Sequence, residues 1–156
     1  MFKLDEIDKK IINLLQKNAN IPLTEISKRV GISSTPCWNR IRKLEEEGII
    51  LSKFTEINQE KINLPISIFV SLSINSHSDK WLTNFINVIN KYDQITEVYR
   101  LTGSSSDYLL KVIAPSIKQY DELQQKLINE LEFNNISSGI VLKVIKKNNY
   151  IPLDFV

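Results

Sequence analysis

Between Lys28 and Lys43 the sequence gathers five basic side chains (Lys28, Arg29, Arg40, Arg42 and Lys43) and no acid. Elsewhere the chain prefers lysine, yet three of its four arginines fall in this window. The planar guanidinium fork is the better bidentate partner for phosphate and for the guanine edge, and asparagine matches the adenine edge. Asn39 and Arg42 therefore have the side chains to read duplex DNA, provided a helix presents them. A solvated helix face carries such a charge run equally well, so the local architecture decides.

The other reactive residue types are sparse. Cys37 lies near a predicted helix N-terminus, but on that helix's inward stripe, which makes it a small core residue. His77 sits in an Asn-Ser-His-Ser loop with no partner in sequence and reads as a solvent-exposed loop histidine. One cysteine excludes an internal disulfide, and one histidine excludes a His-rich metal site. No nucleophile stands near a general base, the acids are scattered, and no glycine-rich phosphate loop occurs. The chain reads as a non-enzyme with no cofactor.

The elements that must position the basic window are legible. Asp5 and Asp8 resemble a helix start, followed by Ile7, Ile11, Leu14 and Leu15 at helical spacing. A second short helix buries Leu23, Ile26 and Val30 and stops at Gly31, the residue best able to adopt the left-handed conformation. Ser33 is placed to cap a third helix, with Pro36 in its first turn. Cys37, Ile41 and Leu44 point inward on it, leaving Trp38, Asn39, Arg42 and Lys43 outside, and Gly48 ends it. Two short helices joined at a glycine turn, the second exposing Arg, Lys and Asn, make a helix-turn-helix. Its outward surface is Ser33, Ser34, Thr35, Pro36, Trp38, Asn39, Arg40, Arg42 and Lys43, flanked by Lys28 and Arg29. Trp38 can stack on a base, pack over sugar-phosphate or pack against its own domain. Arg42 can meet a guanine edge or a phosphate.

Past Ile49–Ile57, read as extended chain, the polar stretch 58–64 is a linker. Ile66, Ile68, Val70, Leu72 and Ile74 then alternate with Ser67, Phe69, Ser71 and Ser73 as a strand. A helix follows Ser78 with Trp81, Leu82, Phe85, Val88 and Ile89 on one side. Strands at Ile95–Thr102 and Tyr108–Ala114 flank a turn, Ser116 opens a further helix, and Ile136–Ile145 supplies a last strand. The order βαββαβ is the ferredoxin-like pattern. The fold class is α+β: a helix-turn-helix domain (1–57, winged-helix-like), a linker (58–64) and a ferredoxin-like αβ sandwich (65–156). Such a sheet has helices on one face only, and a partner's sheet is the simplest cover for the other, so a homodimer is expected.

The 156 residues are 42% apolar and 24% charged, with a formal net charge of +2. No apolar run approaches the roughly 18 residues needed to cross a bilayer, and the start Met1-Phe-Lys-Leu-Asp-Glu lacks a signal-peptide apolar region. A cytoplasmic globular protein is expected.

Three stretches carry a family resemblance: Leu4-Asp-Glu-Ile-Asp-Lys-Lys-Ile-Ile-Asn-Leu-Leu-Gln16, Ile26-Ser-Lys-Arg-Val-Gly-Ile-Ser-Ser-Thr-Pro-Cys37 and Arg40-Ile-Arg-Lys-Leu-Glu-Glu-Glu-Gly-Ile-Ile50. Thr102-Gly103 and Asp107-Tyr-Leu-Leu-Lys-Val112 extend it into the second half. With them the chain resembles the Lrp/AsnC (leucine-responsive, feast/famine) transcriptional regulators over nearly its whole length. The resemblance implies a sequence-specific regulator of double-stranded DNA, dimers associating further to an octamer, and a response to an amino acid. It implies an effector site on the turn Thr102, Gly103, Ser104, Ser105, Ser106 and Asp107, where turn N–H groups and hydroxyls hold a carboxylate and Asp107 an ammonium. The family spaces this turn Gly-x-x-Asp. Here it is Gly-x-x-x-Asp, so either Ser104 stands for the glycine or the turn carries an insertion. The competing functional reading is an architectural DNA-coating protein with weak sequence preference and no effector.

Overall fold

The computed structural model describes residues 3–75, 77–103 and 105–156. The chain forms two compact units, Met1–Glu56 with Lys146–Val156, and Ile57–Ile145.

In the first unit, α1 (Glu6–Lys17) is opened by a reciprocal capping box. Asp5 accepts from the Asp8 N–H at 2.8 Å, and the Asp8 carboxylate accepts from the Asp5 N–H at 3.2 Å. α2 (Leu23–Val30) ends at Gly31, whose φ of +77° is the left-handed cap expected there. α3 (Ser34–Glu46) follows at once. Ser33 occupies the N-cap position with extended backbone, but its side chain makes no capping bond, contrary to the sequence expectation. Ile11, Ile12, Ile26, Val30, Cys37 and Leu44 interlock as the core, each under a tenth exposed.

Leu153 completes that core. The sequence expectation ran the second domain on to residue 156. Instead the last eleven residues pack with the first unit, because a leucine arriving at 153 finds apolar cover there. The Gln16 side chain holds the returning segment at both of its polar atoms, donating to the Ile151 carbonyl at 3.1 Å and accepting from the Ile151 N–H at 2.6 Å.

In the second unit a 3-10 turn (Glu60–Ile62) precedes β1 (Ile66–Ser73), α4 (Asp79–Ile89), β2 (Ile95–Arg100), β3 (Tyr108–Ala114), α5 (Ile117–Glu130) and β4 (Asn135–Ile140). The stretch expected as a linker is thus partly structured and lies in this unit. The sheet order is β2-β3-β1-β4 with every pairing antiparallel. Both helix starts carry the caps read from sequence, Ser78 accepting from the Trp81 N–H and Ser116 from the Gln119 N–H. Ile68, Val70, Leu72, Leu110 and Val112 form the buried face of the sheet, with Phe85, Leu123 and Leu127 from the helices in the same core. Trp81, Phe85 and Tyr108 make a ring cluster with centroids 4.8–5.4 Å apart.

β4 stops five residues short of the expected Ile145. Its partner β1 begins at Ile66, so the Val141 N–H to the Ser67 carbonyl, at 2.9 Å, is the last rung. Beyond it Leu142 is almost fully exposed. On the sheet face away from α4 and α5, Phe69 and Tyr99 are exposed and Leu109 and Ile113 half-buried, among polar neighbours that include the Lys111–Glu97 ion pair.

Candidate nucleic-acid interface and effector turn

The core of the first unit dictates what α3 shows to solvent. With Cys37 and Leu44 fully buried and Ile41 half-buried, helical geometry turns Thr35, Trp38, Asn39, Arg42 and Lys43 outward, and all five are exposed. Ser33 and Pro36 are exposed at the same end. Ser34 is half-buried, its hydroxyl 3.3 Å from that of Ser27. Lys28 and Arg29 are exposed on the last turn of α2, Arg29 paired with Glu25 at 2.6 Å.

Arg42 is held in an outward pose by two neighbours on its own helix. Its Nε lies 2.8 Å from Glu46 one turn on, and its guanidinium stacks 5.3 Å from the Trp38 ring centroid. Both contacts are exposed and weak, so the group is arranged without being consumed. A helix carrying Asn39 and Arg42 on one exposed face, with its N-terminal end open, has the shape and donor set that a major groove admits.

Arg40 departs from the expected surface. Its Nη1 donates to Asp5 Oδ2 and to Asp8 Oδ1, both at 2.7 Å, and the side chain is only a third exposed. Asp8 is nearly buried. The capping box of α1 thus doubles as the counter-ion for an arginine of α3. The Asp8 hydrogen bond foremost, and that of Asp5, push the Arg40 pKa above its already high ordinary value. The Asp8 N–H foremost, with Arg40, holds the Asp5 carboxyl below the usual carboxylate range. Sequence reasoning placed these acids away from DNA but missed that they claim an arginine, since contacts 32 and 35 residues apart leave no local signal. Cys37 is buried, and that burial pushes its thiol pKa up, as suits a core residue.

In the second unit the β2–β3 connection closes on Asp107. The Leu101 N–H donates to the Asp107 carbonyl and the Asp107 N–H to the Leu72 carbonyl, both at 2.8 Å. The Asp107 carboxylate accepts from the Ile74 N–H at 2.8 Å through Oδ2. Through Oδ1 it lies 3.2 Å from His77 Nε2. Histidine 77, expected to have no partner, is therefore an exposed loop residue that does have one. Thr102, Gly103 and Ser105 are exposed, and Ser106 is half-buried. Gly103 takes φ +72°, which an L side chain resists. Ser104 lies outside the described residues. The Gly-x-x-x-Asp stretch lies between Leu101 and Asp107, the two residues that close the turn.

Among the described residues no group of three His, Cys, Asp or Glu side chains is placed to hold a metal ion. Among the described residues no helix is long and apolar enough to cross a membrane.

Comparison with known proteins adds to this geometry. Residues 4–50 match a winged helix-turn-helix DNA-binding family model, and residues 67–151 match the Lrp/AsnC ligand binding domain. A glutamate uptake regulatory protein of Zymomonas mobilis is 38% identical over 151 residues, covering 97% of this chain and 92% of its own length. The crystal structure of an AsnC family transcriptional regulator from Agrobacterium tumefaciens superposes with a TM-score of 0.91 at 36% identity. That match covers 97% of this chain and 99% of that one. A Neisseria meningitidis transcriptional regulator solved as an L-Met complex also gives 0.91, at 29% identity, with 97% and 98% covered.

Proposed function

Because the chain belongs to the Lrp/AsnC family of transcriptional regulators, we propose that it binds specific sites on double-stranded DNA through α3 and alters that binding when an amino acid occupies the 102–107 turn. The observation that carries this reading is the exposed pair Asn39 and Arg42 on one face of α3, beside Thr35 and Trp38 and clear of the hydrophobic core. Asn39 and Arg42 read base edges, Lys28, Arg29 and Lys43 meet phosphates, and Ser33, Ser34, Thr35 and Pro36 bring the helix N-terminus against the backbone. Arg40 positions α3 from behind instead of touching DNA.

The effector's carboxylate meets the N–H groups and hydroxyls of the turn, and its ammonium meets Asp107. The protein works in the cytoplasm as a homodimer. The sheet face of Phe69, Tyr99, Leu109 and Ile113 packs on its copy in a second chain, and dimers assemble further, as far as octamers. Each dimer reads two half-sites about one helical turn, ~10 bp, or a multiple of it apart.

Gel-shift titration of genomic fragments, including the protein's own promoter, with and without each of the twenty amino acids, tests the reading. A subset of fragments should bind tightly, and at least one amino acid should shift their affinity. Equal affinity for every fragment at physiological salt, a steep salt slope and no amino-acid effect would instead describe a DNA-coating protein.

A further inference from the structure

Asp107 is the crossing point of three segments. Its backbone is tied to Leu72 and Leu101, its Oδ2 takes the Ile74 N–H, and its Oδ1 faces His77. The Ile74 bond anchors the carboxylate to the end of β1 through Oδ2, and Oδ1 is the oxygen with no backbone donor. An effector ammonium needs a carboxylate oxygen at about 2.8 Å, and the imidazole stands in its place. We infer that His77 is an internal competitor that sets the effector affinity of this turn by occupying the Asp107 oxygen left free of backbone hydrogen bonds. The inference rests on the reading of 102–107 as the effector site.

The geometry suits a replaceable contact. The Nε2 to Oδ1 distance of 3.2 Å is longer than a close charge-assisted bond, and His77 comes from an exposed loop with 45% of its side chain in solvent. Nε2 donates to Oδ1 when it carries a ring proton, and the 3.2 Å separation places it to do so. Departure of the imidazole leaves Asp107 in place, because the Ile74 N–H still holds Oδ2. The ligand class so recognised is a free amino acid with an unmodified α-ammonium. The corresponding α-keto acid, having no ammonium, escapes the competition.

Calorimetric titration with the amino acid that most stabilises the wild type in a screen of all twenty reads the effect. His77→Ala should bind it roughly two- to fivefold more tightly, the range open to a partly exposed ionic contact. His77→Gln, which keeps a donor near Oδ1, should stay close to wild type, and Asp107→Asn should lose binding. The α-keto acid should bind wild type and His77→Ala alike.

His77 is the sole histidine, so its ring signals in a proton NMR spectrum are unambiguous. They should move on amino-acid addition toward their position in Asp107→Asn. Weaker or unchanged binding in His77→Ala, with wild type binding normally, overturns the competitor role and leaves the effector turn standing. If no amino acid binds wild type or His77→Ala, the effector reading itself falls and takes this inference with it.

Discussion

Replacing Arg40 with alanine separates a structural from a DNA-reading role for the arginine that sequence alone assigned to the surface. The change deletes two 2.7 Å contacts and strands the nearly buried Asp8 carboxylate. Breaking a fully buried pair costs about 3–5 kcal/mol, whereas an exposed contact is worth about 0.2–1 kcal/mol. With Arg40 one-third and Asp5 one-half exposed, the expected loss lies between these limits, at about 2 kcal/mol.

Urea unfolding followed by Trp38 fluorescence in a Trp81→Phe background reports on the first unit. Arg40→Ala with Asp8→Asn should recover part of the loss, because a neutral amide strands no charge. Acidification gives a second signature. Asp5 has a depressed folded pKa, so its contribution is fully present above its unfolded value of about 3.9 and disappears as pH falls through the lower folded value. The Asp8 N–H survives in Arg40→Ala, so the part of this depression that Arg40 supplies should make the gap between wild type and Arg40→Ala narrow below about pH 4. An Arg40→Ala protein as stable as wild type but unable to bind DNA would refute this reasoning and return Arg40 to the interface.

Arg42→Ala should weaken binding to a specific site by roughly 1–3 kcal/mol in gel-shift titrations, flattening base preference if it reads guanine and weakening all sequences alike if it holds phosphate. Glu46→Ala releases only an exposed i,i+4 pair, so the same titration should find affinity unchanged or slightly higher. Leu153→Ala should destabilise the helix-turn-helix unit by about 2–3 kcal/mol in urea, although residue 153 is over a hundred positions away in sequence. Gly103→Ala meets no atom within 4 Å of the added Cβ, so it should lose only about 1 kcal/mol of left-handed backbone strain, read as a small fall in Tm.

What the sequence disclosed follows the range of the interactions. Helices and strands were legible because caps and apolar periodicity act within a few residues: Asp5, Gly31, Ser78 and Ser116 stand at the boundaries they signalled. The exposed face of α3 followed from which of its residues the core claims. Contacts between distant positions were not legible. Nothing near Arg40 points to Asp5, nothing near His77 points to Asp107, and Leu153 looks like an ordinary tail residue until the fold brings it to Ile11 and Leu44. The length of β4 was misjudged for a related reason. Apolar alternation continues to Ile145, but hydrogen-bonded pairing ends where the neighbouring strand begins.

A photoreactive side chain placed at Asn39 and, as control, at the exposed Lys10 of α1 addresses the central claim by direct contact. Irradiation of the complex with its tightest genomic fragment should join residue 39 to DNA bases and leave residue 10 unattached. Adducts from residue 10 with none from residue 39 would mean that a different surface of the unit faces the duplex.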